Sequence, residues 1–394
     1  MGYQAAQLSK PALSVGPAGD RVDGVERIAV LRGGGLGDLL FAFPAIEALA
    51  AAYPDARITL LGTPLHAALL EGRPGPVHEV AVLPRVRGVY LPEGATPDPA
   101  GADAFVDGMR EERFDLALQL HGGGMNSNPF LLRLGARVTA GLCTPDAARL
   151  DRVLPYQYYQ QEWFRALEVV GLVGAPPVVL EPRIHPTPEE RSDAERWAPR
   201  DGRPLVALHP GATDPRRRWP AERFAEVAGR IAAAGARVVV VGDSSDVAVA
   251  EEIVRLGRRG LRGGDAERLR SAAGALSLGE LVGLLAVSDA FLGNDSGPRH
   301  LAQAVGCPTV SVYWVGNVIN AGPIGRSQHR VHVSWTTRCP ACGRDCTSDA
   351  ERCEHDVSFV ADVEAAPVLA DLEELAGLHA QAGGPGQGQD SSSS

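Results

Sequence analysis

Apolar residues along this chain fall into two alternating patterns. Short continuous runs such as Arg27-Ile-Ala-Val-Leu31 read as buried strands, and the segments between them carry apolar residues at helical spacing. The first half gives strands over 27–31, 57–61, 78–83, 114–120 and 137–142. Helices are expected over 39–53, 64–70, 103–113, near 128–134, and over 156–170. Residues 174–188 are then rich in proline, and Pro199 and Pro204 follow, which marks a linker between domains. The alternation restarts with strands over 205–209, 237–242, up to Leu292, and over 309–314. Helices lie between them over 221–234, to about 256, over 277–287, and from Asp295 to Gly306. Strands alternating with helices through short loops predict parallel sheets with right-handed crossovers. The fold class is therefore α/β with two domains in tandem. The segments are a disordered leader (1–24), a first domain (25–183), a linker (184–203), a second domain (204–360), a C-terminal helix (361–382) and a disordered tail (383–394).

The best signposted stretch is Gly293-Asn-Asp-Ser-Gly-Pro-Arg-His300, which leads from a strand into a helix closed by Gly306. Asp295 or Ser296 can cap that helix, and Pro298 suits its first turn. A small polar turn before a bare helix N-terminus is either an anion site or simply a well-capped helix. Two glycine loops follow strands in the first half. Arg32-Gly-Gly-Gly-Leu-Gly-Asp38 does not match the GxGxxG spacing of dinucleotide sites, but it places Asp38 in a first helical turn at a strand's carboxyl end. There Asp38 is either a dipole-favoured cap, worth about 0.3–1 kcal/mol, or a reactive carboxylate. His121-Gly-Gly-Gly124 is the second loop, and His121 reads as structural before it reads as functional.

Charge and length narrow the classes. The 394 residues suffice for two cores, and 48 acids against 38 bases leave a net charge of −10, which argues against a nucleic-acid binder. No apolar run approaches a membrane span, and the first residues lack a secretory signal, so a cytoplasmic protein with at most peripheral membrane contact is expected.

Taken in order, the loops form a series: Gly-Leu-Gly-Asp38 with Pro44-Ala-Ile; His209-Pro-Gly-Ala with Arg217-Arg-Trp-Pro220; Leu276-Ser-Leu-Gly-Glu-Leu281; and Gly293-Asn-Asp-Ser-Gly-Pro-Arg-His300 with Gly306-Cys-Pro308. From about Arg27 to Cys353 the chain resembles glycosyltransferase family 9, the heptosyltransferases. The resemblance implies a GT-B fold, in which two Rossmann-like domains face across a cleft. The first would bind a glycan or glycolipid acceptor and the second a nucleotide-activated sugar. It implies inverting, metal-independent transfer, with ADP-heptose as the favoured donor. Asp38 falls where the family places its base. Arg217 stands where the family usually has Lys, and Arg216 or Arg218 could share its role at the leaving diphosphate. Asp246, with Asp243 as a rival, would meet the ribose hydroxyls. Asp295 would meet the donor sugar, and Ser296 and Gly297 the diphosphate. His209 and Gly211 join the donor set, and His300 is expected to pack or bond inside its domain.

Six cysteines are present. Cys143 and Cys307 stand alone. Cys339-Pro-Ala-Cys342, Cys346 and Cys353, with His355 beyond, have short spacings that suit a structural zinc site of four thiolates, with disulfides or free thiols as alternatives. The helix expected over 357–380 would, as is frequent in GT-B proteins, pack back on the first domain.

Overall fold

The computed structural model describes residues 15–197, 199, 201–347 and 353–378. The first domain holds β1 (Arg27–Leu31), α1 (Leu36–Ala52), β2 (Arg57–Gly62), α2 (Pro64–Leu70), β3 (Glu79–Val82), α3 (Pro99–Glu111), β4 (Leu116–Gln119), α4 (Ser127–Leu132), β5 (Val138–Cys143), β6 (Arg152–Pro155) and α5 (Glu162–Gly171). Its strands pair in parallel in the order β3-β2-β1-β4-β5-β6. The second domain holds α6 (Pro188–Ala194), β7 (Leu205–His209), α7 (Ala221–Ala233), β8 (Arg237–Val240), α8 (Val247–Gly257), β9 (Leu269–Ser271), α9 (Leu278–Ala286), β10 (Ala290–Asn294), α10 (Gly297–Ala304), β11 (Thr309–Trp314), α11 (Val315–Ala321), β12 (His329–Ser334) and α12 (Ala365–Leu375). Its sheet is also parallel, in the order β12-β11-β10-β7-β8-β9.

The two sheets have one topology. In each, the strand order reverses between the domain's first and fourth strands: β1 and β4 in one, β7 and β10 in the other. Open α/β sheets bind ligands outside the carboxyl ends of strands at such a reversal. The carboxyl ends of β1 and β4 carry the Arg32–Asp38 loop and His121. Those of β7 and β10 carry His209 and Asp295.

One apolar cluster bridges the two domains, joining Leu36, Leu40 and Phe43 of α1 to Leu301 and Ala302 of α10. The approach is close because two glycines face it. A Cβ on Gly37 would lie 3.0 Å from His300 Cδ2, and one on Gly297 would lie 3.2 Å from Leu36 Cβ. Both distances are tighter than ordinary packing contacts, so a side chain at either position would require the facing His300 or Leu36 to shift.

Three expectations need correction. Residues 15–24, expected as part of a disordered leader, run against the first domain. The Gly19 N–H donates to Gly171 O at 2.9 Å, the Val22 N–H to the Tyr53 hydroxyl at 3.1 Å, and Arg137 and Arg152 hold the carbonyls of Asp23 and Asp20. Residues 1–14 of that leader, and the tail 383–394, lie outside the described residues. The expected linker contains α6, which packs on α9, entered through a Thr187–Glu190 capping box. The C-terminal helix packs on α7 and β11 of its own domain rather than returning to the first, because its buried face, Val368 and Leu372, joins the core around Trp219 and Phe224. Among the described residues no helix is long and apolar enough to cross a membrane.

Candidate active site

Asp38 sits in the first turn of α1, and both its carboxylate oxygens have partners. Oδ2 accepts the Gly35 N–H at 2.8 Å, and Oδ1 accepts Arg32 Nη2 at 2.6 Å. The Asp38 side chain is still 44% exposed, whereas that of Arg32 is 7% exposed. Arg32 ties three elements together: its Nε donates to Asp38 O at 2.8 Å, its Nη1 to Leu120 O past β4, and its Nη2 lies 3.6 Å from Glu162 of α5. His66, fully buried, holds the loop from below. Its Nδ1 accepts the Thr63 N–H at 3.2 Å, so its Nε2 carries the proton and donates to Gly35 O at 3.0 Å. Burial and the Arg32 charge push His121, beside the same loop, down to about 4, so it is neutral at pH 7.

Across the domain boundary, Asp295 is sealed: its side chain is 2% exposed. Its Oδ1 accepts His300 Nε2 at 3.1 Å, and its Oδ2 accepts Arg217 Nη1 at 3.1 Å and Asn317 Nδ2 at 2.9 Å. Burial alone would raise its pKa. The His300 hydrogen bond and the Arg217 charge outweigh it and hold the carboxyl well below the usual carboxylate range. Arg299 Nη1 donates to His300 Nδ1 at 3.2 Å, so the proton sits on His300 Nε2, and burial lowers the pKa of this imidazole. The ring of His300 also meets Phe41 of α1 edge-on, 4.6 Å between centroids. It therefore bonds inside its domain, as expected, and touches the other domain as well.

A second group gathers at the ends of β7 and β8. His209 Nδ1 is 3.0 Å from Ser296 Oγ, and its Nε2 is 3.3 Å from Asp246 Oδ2. Ser296 is the cap residue of α10 but makes no side-chain cap bond, because its hydroxyl turns to His209. Burial would raise the pKa of Asp246, but the His209 hydrogen bond and neighbouring charges lower it. A Cβ on Gly211 would lie 2.4 Å from Asp246 Oδ1, so only glycine lets that loop approach. Asp243 is occupied locally, accepting from the backbone and hydroxyl of Ser245.

The three arginines divide. Arg216 is spent on structure: it forks onto Asp214 and lies over the Trp314 ring at 4.8 Å. Arg218 Nε donates to Ala212 O at 2.8 Å, and its charge acts on Asp246. Arg217 reaches Asp295, and its Nε is buried without a hydrogen-bond partner among the described residues. An unpaired guanidinium N–H of this kind is costly unless an acceptor meets it.

The structure thus gathers Arg217, Asp295, Ser296, His209 and Asp246 on one side, with Gly37, next to Asp38, against His300 on the other. Sequence reasoning missed Arg32, His66, Asn317 and the role of Asn294. Asn294 Nδ2 donates to Pro210 O at 2.6 Å, and its Oδ1 accepts the Trp219 N–H at 3.0 Å, bracing the loop after β7. A charged residue directly ending an apolar strand, six positions before Asp38, was the available signal for Arg32.

The cysteine cluster lies apart from these groups, behind the arginine loop. The ligand atoms of Cys339, Cys342, Cys353 and His355 all lie within 4.8 Å of one another. Cys353 Sγ is 3.3 Å from Cys339 Sγ, 3.4 Å from Cys342 Sγ and 2.9 Å from His355 Nδ1. These spacings are far beyond a disulfide bond of about 2.05 Å, and all six cysteines are free. Cys346 is not in the set, which corrects the expected four thiolates. The Cys339 N–H bonds Arg344 O and the Cys346 N–H bonds Thr337 O, so the chain doubles back. Cys346 then faces the apolar core, its thiol on Arg344 O, and His355 takes the fourth place.

Comparison with known proteins extends this picture. A profile of glycosyltransferase family 9 (heptosyltransferase) matches residues 103–350. Lipooligosaccharide heptosyltransferase 2 of Haemophilus influenzae is 32% identical over 141 residues, spanning 34% of this chain and 40% of that protein. Lipopolysaccharide heptosyltransferase 2 of Salmonella typhimurium is 27% identical over 312 residues, 73% of this chain and 82% of that one. The solved structure of Escherichia coli ADP-heptose lipopolysaccharide heptosyltransferase II superimposes with a TM-score of 0.68 at 21% identity, covering 89% of this chain and 98% of that chain.

Proposed function

The chain belongs to glycosyltransferase family 9 and has the GT-B fold; from that premise we propose that it transfers heptose from ADP-heptose, with inversion and without a catalytic metal, to a hydroxyl of a lipopolysaccharide-type glycan. In this reading the first domain receives the acceptor and the second the nucleotide sugar. Asp38 takes the proton of the acceptor hydroxyl as its oxygen attacks the anomeric carbon. The bond from that carbon to the diphosphate breaks, and Arg217 meets the charge left on the phosphate oxygens. Ser296 and Gly297 add donors at the diphosphate. Asp246, braced by His209 and crowded by Gly211, receives the ribose hydroxyls, with Arg218 close by. Asp295, expected to meet the donor sugar, is sealed with both oxygens occupied, so its part here is to orient Arg217 toward the diphosphate.

The observation that carries the reading is the pairing of two groups across the domain boundary. One is a half-exposed carboxylate in the first turn of α1. The other is a buried, unpartnered Nε on Arg217 beside the start of α10. A nucleotide-binding module alone would need only the second. The donor is tested with a panel of nucleotide sugars, read by thermal shift and by nucleotide release with a heptose-accepting glycan. ADP-heptose should raise the melting temperature and release ADP. An equal response to UDP- or GDP-sugars would overturn the donor assignment.

The Cys339, Cys342, Cys353 and His355 set fits a closed structural site. Three thiolates and an imidazole with no open position are the ligands of structural zinc, and we assign that metal to it.

A further inference from the structure

The zinc reading leaves open what such a site would do so close to the arginine loop. Chain segments that leave the cluster run directly to that loop. Four residues after His355, the Phe359 N–H donates to Arg216 O at 2.8 Å. Ser358 Oγ donates to Arg218 O at 2.6 Å. These two bonds bracket Arg217. Trp219 Nε1 then donates to Val363 O at 2.9 Å, so the loop is held at three successive points by the stretch that follows the cluster.

The side chains make the same connection. Cys339, Cys346 and Cys353 are buried in one apolar cluster with Trp219, Trp314 and Phe359. Phe359 meets Trp314 edge-on at 5.4 Å, and the Arg216 guanidinium covers Trp314. Before the cluster, Trp314 Nε1 donates to Thr336 O at 2.6 Å and Ser334 Oγ to Phe359 O at 2.6 Å. The cluster therefore closes a loop of chain whose later end holds the arginine segment directly and whose earlier end reaches it only through Trp314 and Phe359.

We propose that metal at Cys339, Cys342, Cys353 and His355 is thermodynamically coupled to donor binding, because it fixes the 353–359 stretch that holds Arg217 in position. This rests on the metal and donor readings above. Without the metal, three thiols and an imidazole lose their common centre, and residues 353–359 gain freedom. Arg217 must then be ordered when the diphosphate binds, which weakens binding. By linkage, ADP must tighten the metal by the same factor. Arg217 would be the residue in contact with the ligand, and the metal site a positioning device acting through Arg216 and Arg218.

The test uses the full chain, purified with zinc and stripped by a chelator. Metal content is measured by mass spectrometry, secondary structure by circular dichroism, and ADP affinity by titration calorimetry. The loaded protein should carry one zinc per chain, and stripping should weaken ADP binding about tenfold, within the usual span of coupling between sites. Readdition of zinc should restore it. Cys342→Ser, at the exposed ligand, should match stripped protein and not respond to zinc. Cys346→Ser should keep both metal and ADP affinity. Equal ADP affinity in loaded and stripped protein would overturn the coupling and leave the metal site standing. A purified chain that holds and takes up no zinc would overturn the metal reading with it. A loaded chain that binds no ADP would overturn the donor reading.

Discussion

Asp38 and Asp295 both lie at the strand-order reversal of their sheets, Asp38 after the first strand of its domain and Asp295 after the fourth. Each lies beyond the carboxyl end of its strand, one within the first turn of a helix and the other just before one. Their surroundings differ completely. Asp295 is sealed, with donors from the arginine loop, α10 and α11 on its two oxygens. Asp38 is 44% exposed and has one side chain, Arg32, as partner. The difference separates holding from reacting. A carboxylate locked by three donors keeps its charge and orients its neighbours, but it is a poor acceptor for a further proton. A carboxylate aimed by one arginine and one backbone N–H has an open face for a substrate hydroxyl.

Exchanging the two carboxylates' roles by mutation tests this contrast. Asp38→Asn should lower kcat by about 10²–10⁴-fold, the usual size of general-base help. It should cost less folding stability than Asp295→Ala, because Asp38 is 44% exposed and the buried Arg32 keeps Leu120 O and Glu162 as partners. Steady-state kinetics together with chemical denaturation would check both halves; unchanged turnover would remove Asp38 from the chemistry. Asp295→Ala should behave in the opposite sense. It leaves the Arg217 charge and the buried His300 without their partner, and removing one member of a buried pair costs about 3–5 kcal/mol. Arg217 is partly exposed, so the low end applies. A stability loss no greater than that of Asp38→Asn would show that the two sites are not the distinct types described.

Most of the frame was legible in the sequence. Central strands announce themselves because they are apolar on both faces. The strands missed were β6, β9 and β12, all at or near sheet edges, where sequences such as His329-Arg330-Val331-His332 alternate with polar residues. The loops were readable because glycine spacing carries local information. Partner choice is not local. Nothing near Asn317 in the chain marks it as a ligand of Asp295, and nothing near Gly35 marks His66 as its support. The exchange of Cys346 for His355 has the same origin: spacing counted the ligands, but a chain reversal at residues 338–346 chose among them.

The smallest expected effect lies in the supports around Asp38. Burial lowers the pKa of His66 and, with Arg32, brings His121 down to about 4; burial likewise lowers His300 and brings His329 to about 4. Each folded-state value lies below the ordinary 6.5, so as pH falls the unfolded chain takes up protons first. The stability these imidazoles contribute is intact above about pH 6.5 and is lost progressively as pH falls toward 4. Melting temperature should therefore decline across that window, before the lowered Asp246 and Asp295 carboxyls titrate. His121→Asn should flatten part of the decline while leaving the melting temperature at pH 7.5 nearly unchanged. A melting temperature constant from pH 7 to pH 5 would mean that these imidazoles take up protons equally in the folded and the unfolded chain, and that burial does not lower their pKa values.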